Sequence, residues 1–175
     1  RPQDDAAVFL GDAAVETDDL GGIGVITTDR RTGKIVGERW TNKHFDEGMF
    51  IAGLAQAPRF LEAQAEQFKY LSEDGLLSVA ETLVELENTS WMVRAQLGIT
   101  MRLRSPYGDT TRLVQDVAQR TGISKTRFYK EMGAYQQIEA HPELFPLTEN
   151  WTPDAVGFAL TSGDPEKAVA LFAPE

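Results

Sequence analysis

Apolar and polar side chains alternate between residues 23 and 40, a pattern that indicates β-structure. The stretch IGVITTDRRTGKIVGERW holds two short β-branched runs on either side of a DRRTGK segment. Gly33 can adopt the left-handed conformation that a tight turn requires, so we predict a hairpin or a pair of adjacent strands. Residues 1–22 contain the acidic clusters DD and ETDD, and we expect them to form a loosely ordered entry segment.

The pattern becomes helical from Asp46 onward. Pro58 suits the first turn of a new helix, which we predict over residues 59–71. Ser72 is a candidate N-cap of the next helix, because its hydroxyl can accept a hydrogen bond from the first turn. In that helix the apolar residues recur at helical spacing, as Leu76, Leu77, Val79, Leu83, Val84 and Leu86.

The rest of the chain is also predicted to be mainly helical. Residues 87–104 fit either a helix or a strand, and we favour a helix. Pro153 and Pro165 each follow a Thr or Asp cap, which is the usual start of a helix. We therefore predict an α+β, mainly α fold, in which a small β-containing N-terminal region, residues 1–70, precedes a helical domain, residues 71–175.

Residues 110–138 carry the signature of a helix-turn-helix. The first helix places four small or apolar residues on one face, Leu113, Val114, Val117 and Ala118. Gly122 suits the left-handed turn that follows, and Ser124 can cap the second helix. The core positions of that second helix are Ile123, Phe128, Met132 and Tyr135. This spacing is what two helices need in order to lock at a steep angle.

The second helix of this motif is predicted to contact double-stranded DNA. With Phe128 and Met132 directed inward, its N-terminal half offers Lys125, Thr126, Arg127, Tyr129 and Lys130. In helix-turn-helix proteins this part of the second helix enters the major groove and meets phosphates and base edges. Four arginines are candidate clamps on the DNA backbone, Arg102, Arg104, Arg112 and Arg120. A helical hairpin with a merely solvated basic face is the alternative.

Charge is sorted along the chain in a way that supports DNA binding. The 175 residues carry a formal net charge of −10, yet residues 94–130 hold eight basic and only two acidic side chains. A groove contact requires a local basic patch and not a basic protein as a whole. We expect the acidic flanks to repel neighbouring DNA or to recruit a protein partner.

Composition limits the remaining classes of protein. The chain has no cysteine, which excludes disulfides, zinc–thiolate clusters and thiol catalysis, and no apolar run approaches the roughly 18 residues of a membrane span. The carboxylate pairs Glu62/Glu66 and Glu81/Glu85 lack a suitably spaced His, so we predict solvated acidic faces and no metal site. A cytoplasmic location is the simplest expectation. The chain starts at Arg1, not at Met, which leaves open that it is a fragment.

The order of short motifs over residues 23–172 resembles that of ParB-type partition proteins and their KorB-like plasmid relatives. A β-branched run at residues 23–28 is followed by KIVGERW, a helix ending in Glu87 and Asn88, the helix-turn-helix, and GDPEKAVALF at residues 163–172. The resemblance implies a small α/β N-terminal domain before a helical DNA-binding domain. It also implies a role in plasmid or phage partition, or in transcriptional regulation.

The same resemblance implies a site for cytidine triphosphate (CTP). The matching residues are Gly37, Glu38, Arg39, Glu87 and Asn88, with Arg94 one helical turn beyond the family's arginine position. Trp40 and Trp91 stand where the family has arginines, and a triphosphate needs several cationic or backbone N–H partners. We therefore expect a homodimeric DNA-binding module without a cofactor. A CTP-dependent switch or enzyme and an acidic protein-interaction module are the alternatives.

Overall fold

The computed structural model describes residues 11–56, 64–85, 91–104, 110–144 and 152–164. The fold is α+β and mainly α, with the sheet at the N-terminal end, as the sequence predicts. The elements in chain order are strands β1 (Gly11–Thr17), β2 (Ile23–Asp29) and β3 (Ile35–Thr41), helix α1 (Glu47–Gln56), a 3₁₀ helix (Ala65–Tyr70), and helices α2 (Glu73–Glu85), α3 (Trp91–Leu103), α4 (Thr110–Thr121), α5 (Lys125–Ala140) and α6 (Pro153–Thr161).

The three strands form an antiparallel sheet in the order β1-β2-β3. The predicted hairpin is confirmed: β2 and β3 pair, and Gly33 closes the turn with φ +71°. The Gly33 amide donates to the Asp29 carbonyl at 2.8 Å. Only glycine adopts this left-handed geometry without a steric cost, which explains its position in the turn.

Strand β1 corrects the expectation for residues 1–22. Residues 11–17 are not loosely ordered, because they pair along their whole length with β2, from Gly11 opposite Asp29 to Thr17 opposite Ile23. Asp12 adds an ion pair to Arg30, with 2.8 Å between Oδ1 and Nε. Residues 1–10 lie outside the described residues.

Asp18 connects the sheet to the 3₁₀ helix. Its carboxylate accepts hydrogen bonds from the Tyr70 hydroxyl and, at 2.7 Å, from the Gly22 amide, and it pairs with Lys69 at 2.8 Å. The Lys69 ammonium also lies 4.0 Å from the centre of the Trp40 ring on β3. Burial acts to raise the pKa of Asp18, but the hydrogen bonds from Lys69, Tyr70 and the backbone hold it well below its usual range.

One hydrophobic core joins helices α1 to α5. It includes residues on both sides of the boundary predicted between residues 70 and 71. Its members include Phe50, Leu54, Phe68, Leu76, Leu83, Leu97, Met101, Leu113, Phe128 and Met132. The described part of the helix predicted over residues 59–71 is helical, and residues 65–70 take the tighter 3₁₀ form. The helix favoured for residues 87–104 is confirmed as α3 over residues 91–103, and residues 87–90 lie outside the described residues. Ser72 caps α2 by accepting from the Gly75 amide at 3.0 Å.

Helix α6 packs along α5 through a second, smaller core. Val156 and Ala159 are buried against Ala134 and Ile138. The predicted helix start at Pro153 is confirmed, and Thr152 caps it by accepting from the Ala155 amide at 3.1 Å. The second predicted start, at residue 165, lies outside the described residues. None of the described helices is both long and apolar enough to cross a membrane.

Candidate nucleic-acid interface

Helices α4 and α5 are joined by the short turn that the sequence predicts. Gly122 has φ +80°, and its amide donates to the Ala118 carbonyl at 2.9 Å, which ends α4. Ser124 caps α5, because its hydroxyl accepts from the Arg127 amide at 3.2 Å. A left-handed glycine and a capped second helix together fix the angle at which α5 leaves the turn.

Helix α3 supports the inner face of α5 at close range. Phe128 and Met132 are 3% and 1% exposed. A Cβ atom placed on Gly98 of α3 would lie 2.6 Å from the Phe128 ring and 2.7 Å from the Met132 sulfur. Glycine at position 98 therefore lets the two helices pack more closely than any other residue would.

A buried ion pair also links α3 to α5. Glu131 is only 2% exposed, and the Arg94 guanidinium donates to both of its carboxylate oxygens, at 2.8 Å in the shortest contact. Arg127 approaches the same carboxylate at 3.7 Å. Glu131 was not among the residues that sequence reasoning selected. The available signal was its helical register, because it lies on the face of Phe128 and Met132, where a charge requires a partner.

The outer face of α5 carries the polar side chains that the sequence assigns to it. Lys125, Thr126, Tyr129 and Lys130 are all exposed. Lys130 pairs with Asp154 in the first turn of α6. Lys125 is exposed and makes no ion pair with any residue that the structure describes.

Two of the predicted flanking arginines form exposed ion pairs with α2. Arg112 pairs with Glu73 at 3.0 Å and with Asp116 at 3.7 Å, and Arg120 pairs with Glu81 at 3.5 Å. Exposed pairs of this kind contribute about 0–1 kcal/mol, since water competes for both charges. Both guanidinium groups can therefore exchange a carboxylate for another anion at little cost.

The other two flanking arginines differ from this pair. Arg104 donates to the Lys69 carbonyl at 3.1 Å and lines a cavity of about 200 Å³ beside Tyr135 and Glu139, in the C-terminal half of α5. Burial, and then the charge of Arg39, lower the pKa of Arg104. Arg102 is partly exposed and forms no ion pair with a described residue. Arg104 thus lies away from the N-terminal half of α5.

Two of the described residues matched to a CTP site, Glu38 and Arg94, line different cavities. Gly37 is buried in β3, Glu38 accepts from the Trp40 indole N–H at 2.8 Å, and Arg39 is exposed. Glu38 lines the cavity of about 200 Å³, which is smaller than the roughly 300–1,000 Å³ of most small-molecule sites. Arg94 lines a different cleft and is engaged by Glu131. Glu87 and Asn88 lie outside the described residues.

Neither a protein-family model, nor a curated protein, nor a solved structure matches this chain. In the part of the chain that the structure describes, no group of three or more His, Asp or Glu side chains is placed to hold a metal ion.

Proposed function

We propose that the protein binds double-stranded DNA through helix α5, with the side chains of Lys125, Thr126, Tyr129 and Lys130 directed into the major groove. One observation carries the proposal: Phe128 and Met132 hold α5 against the core and leave these four polar residues exposed on its N-terminal half. The major groove of B-form DNA is wide enough to admit one α-helix, and this half of the helix reaches the base edges.

Each exposed side chain has a distinct role in this proposal. Lys125 and Lys130 donate to phosphate oxygens or to the O6 and N7 acceptors of guanine. Thr126 and Tyr129 offer hydroxyl groups that donate to and accept from base edges, which gives the complex its sequence preference. Gly133 lies on the same face and has open space where a Cβ atom would be, so DNA can approach the backbone closely there.

Arg112, Arg120 and Arg127 supply the surrounding positive charge. Their present carboxylate partners are exposed or shared, and phosphates can replace them at low cost. The remainder of the chain is acidic and repels DNA, so binding is restricted to this surface. We assign the module a role in plasmid or phage partition, or in transcriptional regulation, and expect it to act as a homodimer on paired half-sites.

The test is selection of bound duplexes from a random pool, followed by binding measurements on the selected sequence at several salt concentrations. We expect Lys125→Glu with Lys130→Glu to abolish binding while the protein still unfolds cooperatively. Replacing the two lysines by Gln should reduce the salt slope by about 0.9 for each of the two that contacts a phosphate. Half-sites spaced by about one helical turn in the selected duplexes would support a homodimer.

Lys34→Glu with Lys43→Glu is the matched control, because both lysines are exposed and lie on the hairpin and before α1. This variant changes the net charge equally and should bind like the wild type. The proposal fails if the wild type shifts no duplex at low salt. It also fails if the two double variants lose affinity to the same extent, since the effect would then be one of overall charge.

A further inference from the structure

The first turn of α6 lies beside the N-terminal half of α5. Burial of Val156 and Ala159 against α5 fixes the position of α6, and the Thr152 cap fixes where it begins. An open cleft of about 720 Å³ separates the two helix starts and is lined by Thr126 and Lys130 on one side and Asp154 on the other. Any DNA on the outer face of α5 therefore meets residues of α6 as well.

Lys130 and Asp154 form an ion pair across this cleft. The Asp154 side chain is 82% exposed and the Lys130 side chain 56% exposed, so the pair faces solvent and not the core. Asp154 also lies in the first turn of its helix, where a negative charge is favoured by the helix dipole. If Asp154 only stabilises its own helix, replacing it should change the stability of the protein. If it acts at the interface, replacing it should change the affinity for DNA.

A phosphate and a base edge would interact differently with the ion pair of Lys130 and Asp154. A phosphate presents only acceptor oxygens with a negative charge, so it is attracted by Lys130 and repelled by Asp154. A G·C base pair presents the O6 and N7 acceptors of guanine beside the N4 amino donor of cytosine. A lysine and a carboxylate held side by side can satisfy both groups at once.

From this juxtaposition we infer that Asp154 is a specificity-determining residue: it opposes phosphate contacts by Lys130 and favours a base edge that carries an amino group beside an acceptor. This inference rests on the proposed function and extends it to a residue of α6. Non-specific binding depends on phosphate contacts alone, so Asp154 weakens it more than it weakens binding to the preferred sequence. The residue thereby increases the ratio of specific to non-specific affinity.

The experiment compares wild type and Asp154→Asn on a random duplex and on the selected duplex, over a series of salt concentrations. Asn keeps the shape of the side chain and removes its charge. We expect Asp154→Asn to bind the random duplex roughly two- to five-fold more tightly, the scale of one exposed ion pair. Its salt slope should steepen by about 0.9, for one additional phosphate contact. Affinity for the selected duplex should rise less, so the specificity ratio falls.

Asp12→Asn is the matched control, because Asp12 lies on β1, forms an exposed ion pair with Arg30 and undergoes the same change of charge. It should leave both affinities unchanged. In a Lys130→Gln background, Asp154→Asn should have little effect, since the ammonium that it releases is absent. The inference is overturned if Asp154→Asn behaves like Asp12→Asn, or raises both affinities equally. A folded wild type that binds no duplex overturns the proposed function itself, and this inference with it.

Discussion

Arg94 of α3 and Glu131 of α5 form a two-pronged ion pair within the protein, with 2.8 Å between Nη2 and Oε2 and 3.2 Å between Nε and the same oxygen. Glu131 is 2% exposed and lies on the helix that carries the candidate DNA contacts. The rotation of α5 about its own axis thus depends on a directional charge pair as well as on apolar packing.

We predict that Glu131→Ala lowers the free energy of unfolding by about 3–5 kcal/mol, because it leaves the largely buried Arg94 guanidinium without its main carboxylate partner. Denaturant titration measures the loss. Glu81→Ala, which breaks the exposed pair with Arg120, should cost only about 0–1 kcal/mol. Replacing Arg94 and Glu131 together by Met should cost less than Glu131→Ala alone. Equal losses for Glu131→Ala and Glu81→Ala would contradict a structural role for the buried pair.

Gly98 of α3 packs against α5, whereas Gly133 of α5 is exposed, so we expect substitution by Ala to have opposite effects on stability at the two positions. A Cβ on Gly98 would lie 2.6 Å from the Phe128 ring, so Gly98→Ala should force α3 and α5 apart and cost about 1–3 kcal/mol. Gly133 lies in the middle of α5 with open space around its Cα, so Gly133→Ala should stabilise the protein by about 0.5–1 kcal/mol. Thermal unfolding of the two variants compares them directly. Destabilisation of equal size in both would show that the close approach at Gly98 is unimportant.

The sequence predicts the elements whose signals are local. Gly33 and Gly122 mark turns because a left-handed backbone position favours glycine, and Ser72, Ser124 and Thr152 mark helix starts through their hydroxyl groups. These features depend on a few neighbouring residues. They were therefore predictable from the sequence without knowledge of the tertiary structure.

The features that the sequence does not predict depend on distant partners. Strand β1 contains Asp12, Ala13 and Glu16, which have low strand propensity, and pairing with β2 determines its conformation. The contact between Lys130 and Asp154 joins residues that only the docking of α6 brings together. For Arg94 the family resemblance indicated a nucleotide, whereas its observed partner is a glutamate 37 positions away.

The hydrogen bonds of Asp18 predict a loss of stability in acid. Its pKa is lower in the folded protein than its ordinary value of 3.8, so the folded state favours the charged form. The resulting stabilisation is fully present above that ordinary value and is lost as the pH falls through it toward the folded pKa. Asp18→Asn should therefore flatten the acid limb of the stability curve, as measured by denaturant titration at several pH values. An acid limb that is unchanged in Asp18→Asn would assign the loss to other carboxyl groups.

The hydrogen bond between Tyr70 and Asp18 also predicts a loss of stability in alkali. Burial, and then the hydrogen bond to Asp18, raise the pKa of Tyr70 from 10.0 to about 12. The folded state retains the phenol proton more strongly than the unfolded state, so this stabilisation is present below pH 10 and declines between about pH 10 and pH 12. Tyr70→Phe should remove the decline. A decline of the same size in Tyr70→Phe would assign it to another group.

Base-reading and phosphate-contacting residues should be separable by their effects on different DNA sequences. Arg112→Gln with Arg120→Gln removes two cations at the flanks of α4 and should weaken binding to every duplex by a similar factor, with the salt slope reduced by about 2. Thr126→Ala with Tyr129→Phe removes two hydroxyl groups and no charge. It should leave the salt slope unchanged and reduce the preference for the selected sequence over single-base variants, where each good base contact contributes about 1–3 kcal/mol. Competition binding with a panel of single-base variants measures both effects. If the arginine variant changes the ranking of sequences and the hydroxyl variant does not, the groove-facing surface has been assigned to the wrong side of the motif.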